Sequence, residues 1–478
     1  MRVLFVALFA VVLAACQVVP EEVARQIIPE RTEYKTLEAA YHVLLERHVD
    51  RPTPEKLVNG ALDGAEAYLT RKVEVTNATP TPSGAPAPVG TATPAAAAKG
   101  AGCAGPVIER PALSGSSESD LVKASESLDK ALAKCKAADK TQLERAATDG
   151  MAKAMAECHT YYLDPDRAKQ FNQPPQPYSG IGASLIPPAG AGGLTVISAV
   201  FPNSPAEKAG VRSGDRIKMV DGTDVSGFSP DEVAAKIRGP EGTQVKLVLV
   251  RGTQEVSFTI TRATLTPPRT IQRDFDDGKI VMFSISQLNG DVARLTKDLV
   301  NKAIAGGAKA FIIDLRGNPG GDLSAAVDIA SIFLKDATLV DQVGRDGKKE
   351  QVRTNSGFTV EFKGPVAVLV NDRSASGAEI IAVGLRANGV ASVIGTRSAG
   401  CVGIAQPRQM PDEGLLLVTL ARMQDPKTGE ELNGQGRGVR PDVDVKDDPN
   451  TAEQEDQDAA VGELRQKLAS RPGGVGSP

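Results

Sequence analysis

The chain is 478 residues long, 41% hydrophobic and 24% charged, with a formal net charge of −4. That length exceeds one ordinary core and points to roughly three globular domains. With a slightly acidic balance nothing favours a nucleic-acid partner, and the lack of Trp, with only 4% aromatics, argues against stacking platforms for bases or sugars.

The N-terminus reads as an export signal. Arg2 supplies the charge, and residues 3–14 form an apolar core too short to span a bilayer. No later apolar run is long enough to span one either. The signal ends Leu13-Ala14-Ala15-Cys16, which resembles the lipobox of bacterial lipoproteins. That resemblance implies loss of residues 1–15, lipidation of Cys16, and a mature protein outside the cytoplasm, tethered to a membrane of the cell envelope. Cys103, Cys135, Cys158 and Cys401 remain. In an oxidising compartment they permit two disulfides, with three connectivities open. No Cys-x-x-Cys spacing occurs, and the sequence calls for no metal and no cofactor.

Helical spacing covers residues 21–46, with Leu37, Ala40, Tyr41, Leu44 and Leu45 in phase, and resumes after a turn at about 55–69. Residues 16–72 therefore read as an N-terminal helical region. Residues 73–118 form a low-complexity linker, because 76–105 is Thr, Pro, Ala and Gly with almost no large apolar residue. Helical pattern returns over 119–157, within a region 119–177 that leads to the core. Residues 57–64 and 143–150 echo one another, each ending Asp-Gly, as a duplicated helix would or as two Ala-rich helices do by chance.

Short strands and glycine turns follow over 178–263. Ser179-Gly180-Ile181-Gly182-Ala183 precedes a strand at 195–200, then SPAEKAGVRSGDRI at 204–217, a helix at 230–238, and strands at 244–251 and 255–262. This stretch resembles a PDZ domain. The resemblance implies that backbone N–H groups of Gly180, Ile181, Gly182 and Ala183 receive the carboxylate of a protein C-terminus. The peptide would add as a strand beside residues 183–186.

Residues 264–446 alternate strand and helix, as a mixed or parallel α/β sheet requires. Strands are expected at 280–285, 310–315, 366–370 and 390–394, with helices at 289–305, 323–334 and 378–385. The turn DLRGNPGGDL at 314–323 fits neither the dinucleotide nor the P-loop spacing, so phosphate binding ranks low. NDRSASGAEI at 371–380 puts Ser376 at a strand-to-helix junction, among small residues and free helix N–H groups. Glu379 shares that serine's helical face. The competing reading is an ordinary Ser cap. Residues 447–478 read as an acidic, flexible tail with a short helix at 459–468.

Taken in order, the lipoprotein-like start, the PDZ-like stretch, the two Gly- and Ser-bearing motifs and GRGVRPDV at 436–443 resemble the carboxy-terminal processing peptidases, the tail-specific serine proteases. The resemblance implies a multidomain α+β protein: a helical N-terminal region, then a PDZ domain placed before an α/β mixed-sheet peptidase core. It implies Ser376 as nucleophile, Glu379 as its companion, and oxyanion donors from Gly377 and the Gly320-Gly321 turn. Ser374 is the rival serine but lacks the Ser-x-x-Glu spacing.

The family's base is a lysine about twenty-five residues after the serine, and here Cys401 fills that slot. No lysine occurs between Lys363 and Lys427. A thiol is a poor base for a serine proton, and a guanidinium such as Arg397 is none. His159 lies in a segment that resembles the family's Asp-Pro-His-Ser-x-Tyr stretch. In the related tricorn branch the corresponding histidine looks to be the base, so the resemblance offers a Ser376–His159 pair, supported by Glu379 or Thr160. If both segments meet at the site, Cys158 pairs with Cys401 and Cys103 with Cys135.

The expected function is an extracytoplasmic serine endopeptidase that binds exposed apolar C-termini of proteins or peptides and cleaves through an acyl-enzyme, with an oligomer allowed. The alternative is a catalytically silent homologue, a PDZ-bearing lipoprotein that binds tails or scaffolds other proteins.

Overall fold

The computed structural model describes residues 32–70, 100–104, 106–171, 177–186, 193–434, 436–446 and 454–470. The signal sequence, Cys16 and most of the linker expectation lie outside these residues. Among the described residues no helix is long and apolar enough to cross a membrane.

Strand–helix alternation in the C-terminal half builds a six-stranded sheet. Its order is Thr270–Phe275, Ile280–Ile285, Ala310–Asp314, Val366–Val370, Ala391–Gly395 and Val443–Asp444. The first pair is antiparallel and the rest are parallel, so the sheet is mixed. Val366–Val370 is buried at every residue, which is why it reads as an unbroken apolar run rather than an alternation. Helices Val292–Ala305, Leu323–Phe333 and Gly377–Ala387 cover one face.

The opposite face carries helix Glu455–Ala469, longer than the short helix expected at 459–468 and packed on the sheet where a flexible tail was expected. Ala460, Val461 and Leu464 are buried with Ile280, Met282, Ile312 and Leu369. Its acidic side is engaged too: Arg316 Nη1 donates to Asp456 Oδ1 at 2.6 Å. An acidic composition hid an apolar stripe only a few residues wide.

A second, antiparallel sheet was not expected. It runs Tyr161–Leu163, Leu415–Gln424, Thr338–Gly344, Lys349–Arg353, with Gly403–Gln409 also paired to Leu415–Gln424. One side of it packs on the N-terminal helices through Tyr162, Met410, Leu416 and Val418. This sheet brings the segment before Tyr161 to the segment before Gly403.

The N-terminal helices are Lys35–Arg47, Pro54–Thr70, Ser117–Lys134 and Lys140–Lys153. The single stretch expected over 119–157 is thus two helices. Asp139 accepts from Gln142 N–H and starts the second one, and Cys135 caps the first and pairs with Cys103. The last part of the expected linker is ordered against helix Pro54–Thr70, where Val107 and Ile108 N–H groups donate to the Glu66 carboxylate. The two echoing segments meet. A Cβ on Gly64 would lie 2.8 Å from Gly150 Cα, so the helices cross on their glycines.

The PDZ-like unit is a sheet ordered Ala183–Ile186, Thr195–Val200, Arg216–Val220, Gln244–Arg251, Gln254–Thr261. Helix Pro230–Ile237 opens with a capping box between Ser229 and Glu232. Ala183–Ile186 is an edge strand, and its outer side is unpaired among the described residues.

Candidate active site

Ser376 sits where strand Val366–Val370 and its loop give way to helix Gly377–Ala387. Its backbone is strained, with φ 55° and ψ −119°, a region that costs a non-glycine residue of order 1–3 kcal/mol. Such a turn pushes the side chain out at the head of a helix, as a nucleophile elbow does. The Ser376 N–H is shared between the Cys401 carbonyl at 2.7 Å and Glu379 Oε2 at 2.9 Å. The rival Ser374 is fully buried and donates its hydroxyl to the Leu315 carbonyl at 2.8 Å, so it is a loop staple.

Glu379 is buried and accepts four hydrogen bonds. They come from Ser376 N–H, Cys401 N–H at 3.0 Å, Gly400 N–H at 2.9 Å and the Ser398 hydroxyl at 2.5 Å. Burial pushes its carboxyl up to about 7, against the pull of those donors. The side chain ties the serine loop to the 398–401 loop through the Ser376 N–H rather than the Ser376 hydroxyl, so its bonds are those of a positioning residue. Ser398 and Gly400, which the sequence did not single out, are its partners.

Gly320 touches the nucleophile position directly. With φ 91°, a Cβ added there would lie 2.6 Å from Ser376 Cβ and 2.8 Å from Gly377 N. Its own N–H donates inward to Asn318 Oδ1 at 2.7 Å, which corrects the expectation that it serves as an oxyanion donor. Its role is to let two backbones meet. Gly377 N–H, at the first turn of its helix, and the exposed Gly321 N–H have no acceptor among the described residues, and these two remain for an oxyanion. Buried Asn318 holds the turn, with Nδ2 on the Ile285 carbonyl and its own carbonyl receiving Ala375 N–H. Only its place inside the Gly-rich motif hinted at this.

The 158–159 segment and the 401 segment do meet. Cys158 and Cys401 form a disulfide with Cα atoms 5.8 Å apart. The buried His159 ring lies against it, Nδ1 3.4 Å from Cys158 Sγ and 3.6 Å from Cys401 Sγ. Burial pushes the imidazole below its ordinary value, opposed by the Glu157 charge.

The Ser376–His159 pair is not formed. Among the described residues no hydrogen bond joins them, because Cys401 stands between, its carbonyl on Ser376 and its sulfur on His159. Thr160 also serves elsewhere, its hydroxyl on Thr419 Oγ1 at 3.3 Å.

In the PDZ-like unit, Gly180 belongs to strand Tyr178–Gly180, while Ile181 and Gly182 form the turn into the edge strand that starts at Ala183. Gly182 has φ 83°, and a Cβ there would lie 3.1 Å from Leu265 Cδ1. The Ile181 carbonyl receives Ala206 N–H at 2.8 Å, so the start of the 204–217 run braces this turn.

Comparison with known proteins agrees with these units. Residues 279–445 match the description "Peptidase family S41" and residues 196–251 match "PDZ domain". A "Probable CtpA-like serine protease" from Staphylococcus haemolyticus (strain JCSC1435) is 33% identical over 307 residues, covering 64% of this chain and 60% of that protein. One of the same name from Staphylococcus aureus (strain COL) is 31% identical over 309 residues, 64% of this chain and 61% of its own length. The chain therefore spans about 60% of the length of these relatives. Among solved structures, a photosystem II D1 C-terminal processing protease is 26% identical with a TM-score of 0.42, over 64% of this chain and 82% of that one.

Proposed function

From the premise of a peptidase family S41 domain at residues 279–445 behind a PDZ domain at residues 196–251, we propose that this protein is a serine endopeptidase acting on proteins with exposed apolar C-termini. The observation that carries the reading is the strained Ser376 turn, together with the N–H groups of Gly377 and Gly321, which have no acceptor among the described residues. Strain of that kind is retained at sites where the geometry is used. A substrate tail adds to the edge strand Ala183–Ile186, with its carboxylate at the turn Gly180–Ala183. Ser376 Oγ then attacks an upstream carbonyl, the two N–H groups stabilise the oxyanion, and the acyl-enzyme is released by water. No hydrogen bond joins Ser376 to a base among the described residues, and Cys401 must move before the His159 imidazole can take the serine proton. The lipobox-like Leu13-Ala14-Ala15-Cys16 supports work in the cell envelope on a lipid tether.

One observation favours a second reading, a tail-binding homologue without hydrolysis: the expected base position is occupied by Cys401, held in a disulfide. Labelling with a serine-reactive fluorophosphonate separates the two. The enzyme reading expects wild type to label and Ser376→Ala not to. Absence of labelling across a range of pH, together with retained binding of C-terminal peptides, would establish the second reading instead.

A further inference from the structure

The Cys158–Cys401 disulfide leaves one neighbour unexplained. His159 is only 5% exposed, yet its ring nitrogens have no nitrogen or oxygen partner among the described residues; each meets sulfur alone. An unsatisfied buried polar group costs about 1–3 kcal/mol, and a disulfide sulfur is a poor acceptor. The three side chains nonetheless converge, with ligand atoms all within 4.8 Å of one another.

The nitrogen-to-sulfur spacing fits a metal once the disulfide opens. Zinc takes thiolate sulfur at about 2.3 Å and imidazole nitrogen at about 2.0–2.1 Å in a tetrahedron, so adjacent S and N ligands are separated by about 3.6 Å. Nδ1 lies 3.4 and 3.6 Å from the two sulfurs. We infer that Cys158, Cys401 and His159 form a redox-gated Cys₂His site for a zinc-class divalent cation. A dithiol reductant gives two electrons and two protons to the disulfide, and is itself oxidised to its own disulfide. The two thiols then separate to about 3.8 Å, the edge of such a tetrahedron. The cation displaces the two thiol protons to solvent and binds two thiolates and neutral Nδ1. A fourth position stays open towards Asn433, whose Oδ1 is 3.9 Å from Cys158 Sγ. Because Cys401 also holds Ser376 and Glu379 through its backbone, occupancy of this site bears directly on the serine loop.

The test is titration of the full-length chain with Co²⁺ as a spectroscopic stand-in, and with Zn²⁺ for stoichiometry, before and after dithiol treatment. The reduced protein is expected to bind one cation per chain and to show the thiolate-to-cobalt band and the visible bands of tetrahedral cobalt. The disulfide form is expected to show neither. Cys401→Ser and Cys158→Ser should abolish the thiolate signature, and a Cys103→Ser/Cys135→Ser variant should keep it. His159→Ala should weaken binding by at least the ~10–100-fold that loss of a mere supporting partner costs. If that variant does not fold, His159→Gln and the wild-type titration carry the test. No cobalt spectrum in reduced wild type, an unchanged spectrum in Cys401→Ser, or equal uptake by the disulfide form overturns the inference.

Discussion

The N–H of Ser376 donates to the carbonyl of Cys401 at 2.7 Å. The residue standing where a base is expected thus braces the nucleophile through its backbone, while its side chain is tied to Cys158. Backbone support and side-chain chemistry are separable at this position. Cys401→Lys in a Cys158→Ser background keeps the backbone contact and installs an amine in a buried, water-poor place. Burial lowers a lysine's pKa and frees it as a base. Fluorophosphonate labelling of Ser376 is expected to quicken by about 10²-fold, the low end of general-base effects. A rate no higher than that of Cys158→Ser alone would show that the loop is not competent even when a base is supplied.

Two buried glutamates near the site should respond to pH in opposite senses. Glu379 is surrounded by neutral donors, and burial raises its carboxyl from 4.5 to about 7. Its native form holds a proton that the unfolded chain releases, so its contribution is full below about pH 4.5 and is lost as pH rises through about 7. Burial also pulls Glu157 upward. There the His48 ring and the His159 backbone N–H outweigh it and lower the carboxyl to about 2. Its contribution is present above about pH 4.5 and is lost as pH falls through about 2. Each shift is worth on the order of 3 kcal/mol. Denaturation midpoints across pH for wild type, Glu379→Gln and Glu157→Gln check this. The wild-type advantage over Glu379→Gln should shrink towards neutral pH, and that over Glu157→Gln should shrink in acid; either trend reversed refutes the assignment.

The serine loop should show a trade of stability against function. Glycine tolerates the φ 55°, ψ −119° backbone of Ser376, which relieves about 1–3 kcal/mol of strain against roughly 0.5–1 kcal/mol of extra chain entropy. Ser376→Gly is expected to raise the unfolding midpoint by the equivalent of about 1 kcal/mol and to end labelling. Ser374→Ala removes the bond to the Leu315 carbonyl, so it should cost about 1 kcal/mol and keep labelling. A destabilised Ser376→Gly protein would mean that the serine side chain holds the loop rather than strains it.

Much of the site was legible because it is local. Ser376 and Glu379 are one helical turn apart, and the strand before them is five consecutive apolar residues. What escaped depends on tertiary pairing. The antiparallel sheet was missed because two of its strands carry Lys349, Glu350, Pro407 and Arg408 and show no apolar run, which leaves the apolar strand Leu415–Gln424 without visible partners in the sequence. The inward N–H of Gly320 depends on Asn318 folding back, and helix Glu455–Ala469 depends on a sheet face far away in sequence. The sequence pattern also could not reveal that Cys401 separates His159 from Ser376, since both segments share the same neighbourhood.

The Gly320-Gly321 turn offers the sharpest division of labour. Gly320 has its N–H committed to Asn318 and its Cα pressed against Ser376 and Gly377, whereas the Gly321 N–H is exposed and free among the described residues. Gly320→Ala must push a methyl into Ser376 Cβ and the Gly377 N–H, displacing nucleophile and donor together. Labelling should fall by at least the 10²–10³-fold that one lost oxyanion donor costs, with destabilisation of about 1–2 kcal/mol from the positive φ. Asn318→Ala frees the Gly320 N–H and loosens the turn without adding bulk, so it should slow labelling less and leave peptide binding at the PDZ unit unchanged. Kinetic labelling and peptide titration on the same preparations read both effects. A Gly320→Ala protein that labels at the wild-type rate would show that this turn does not frame the reacting serine.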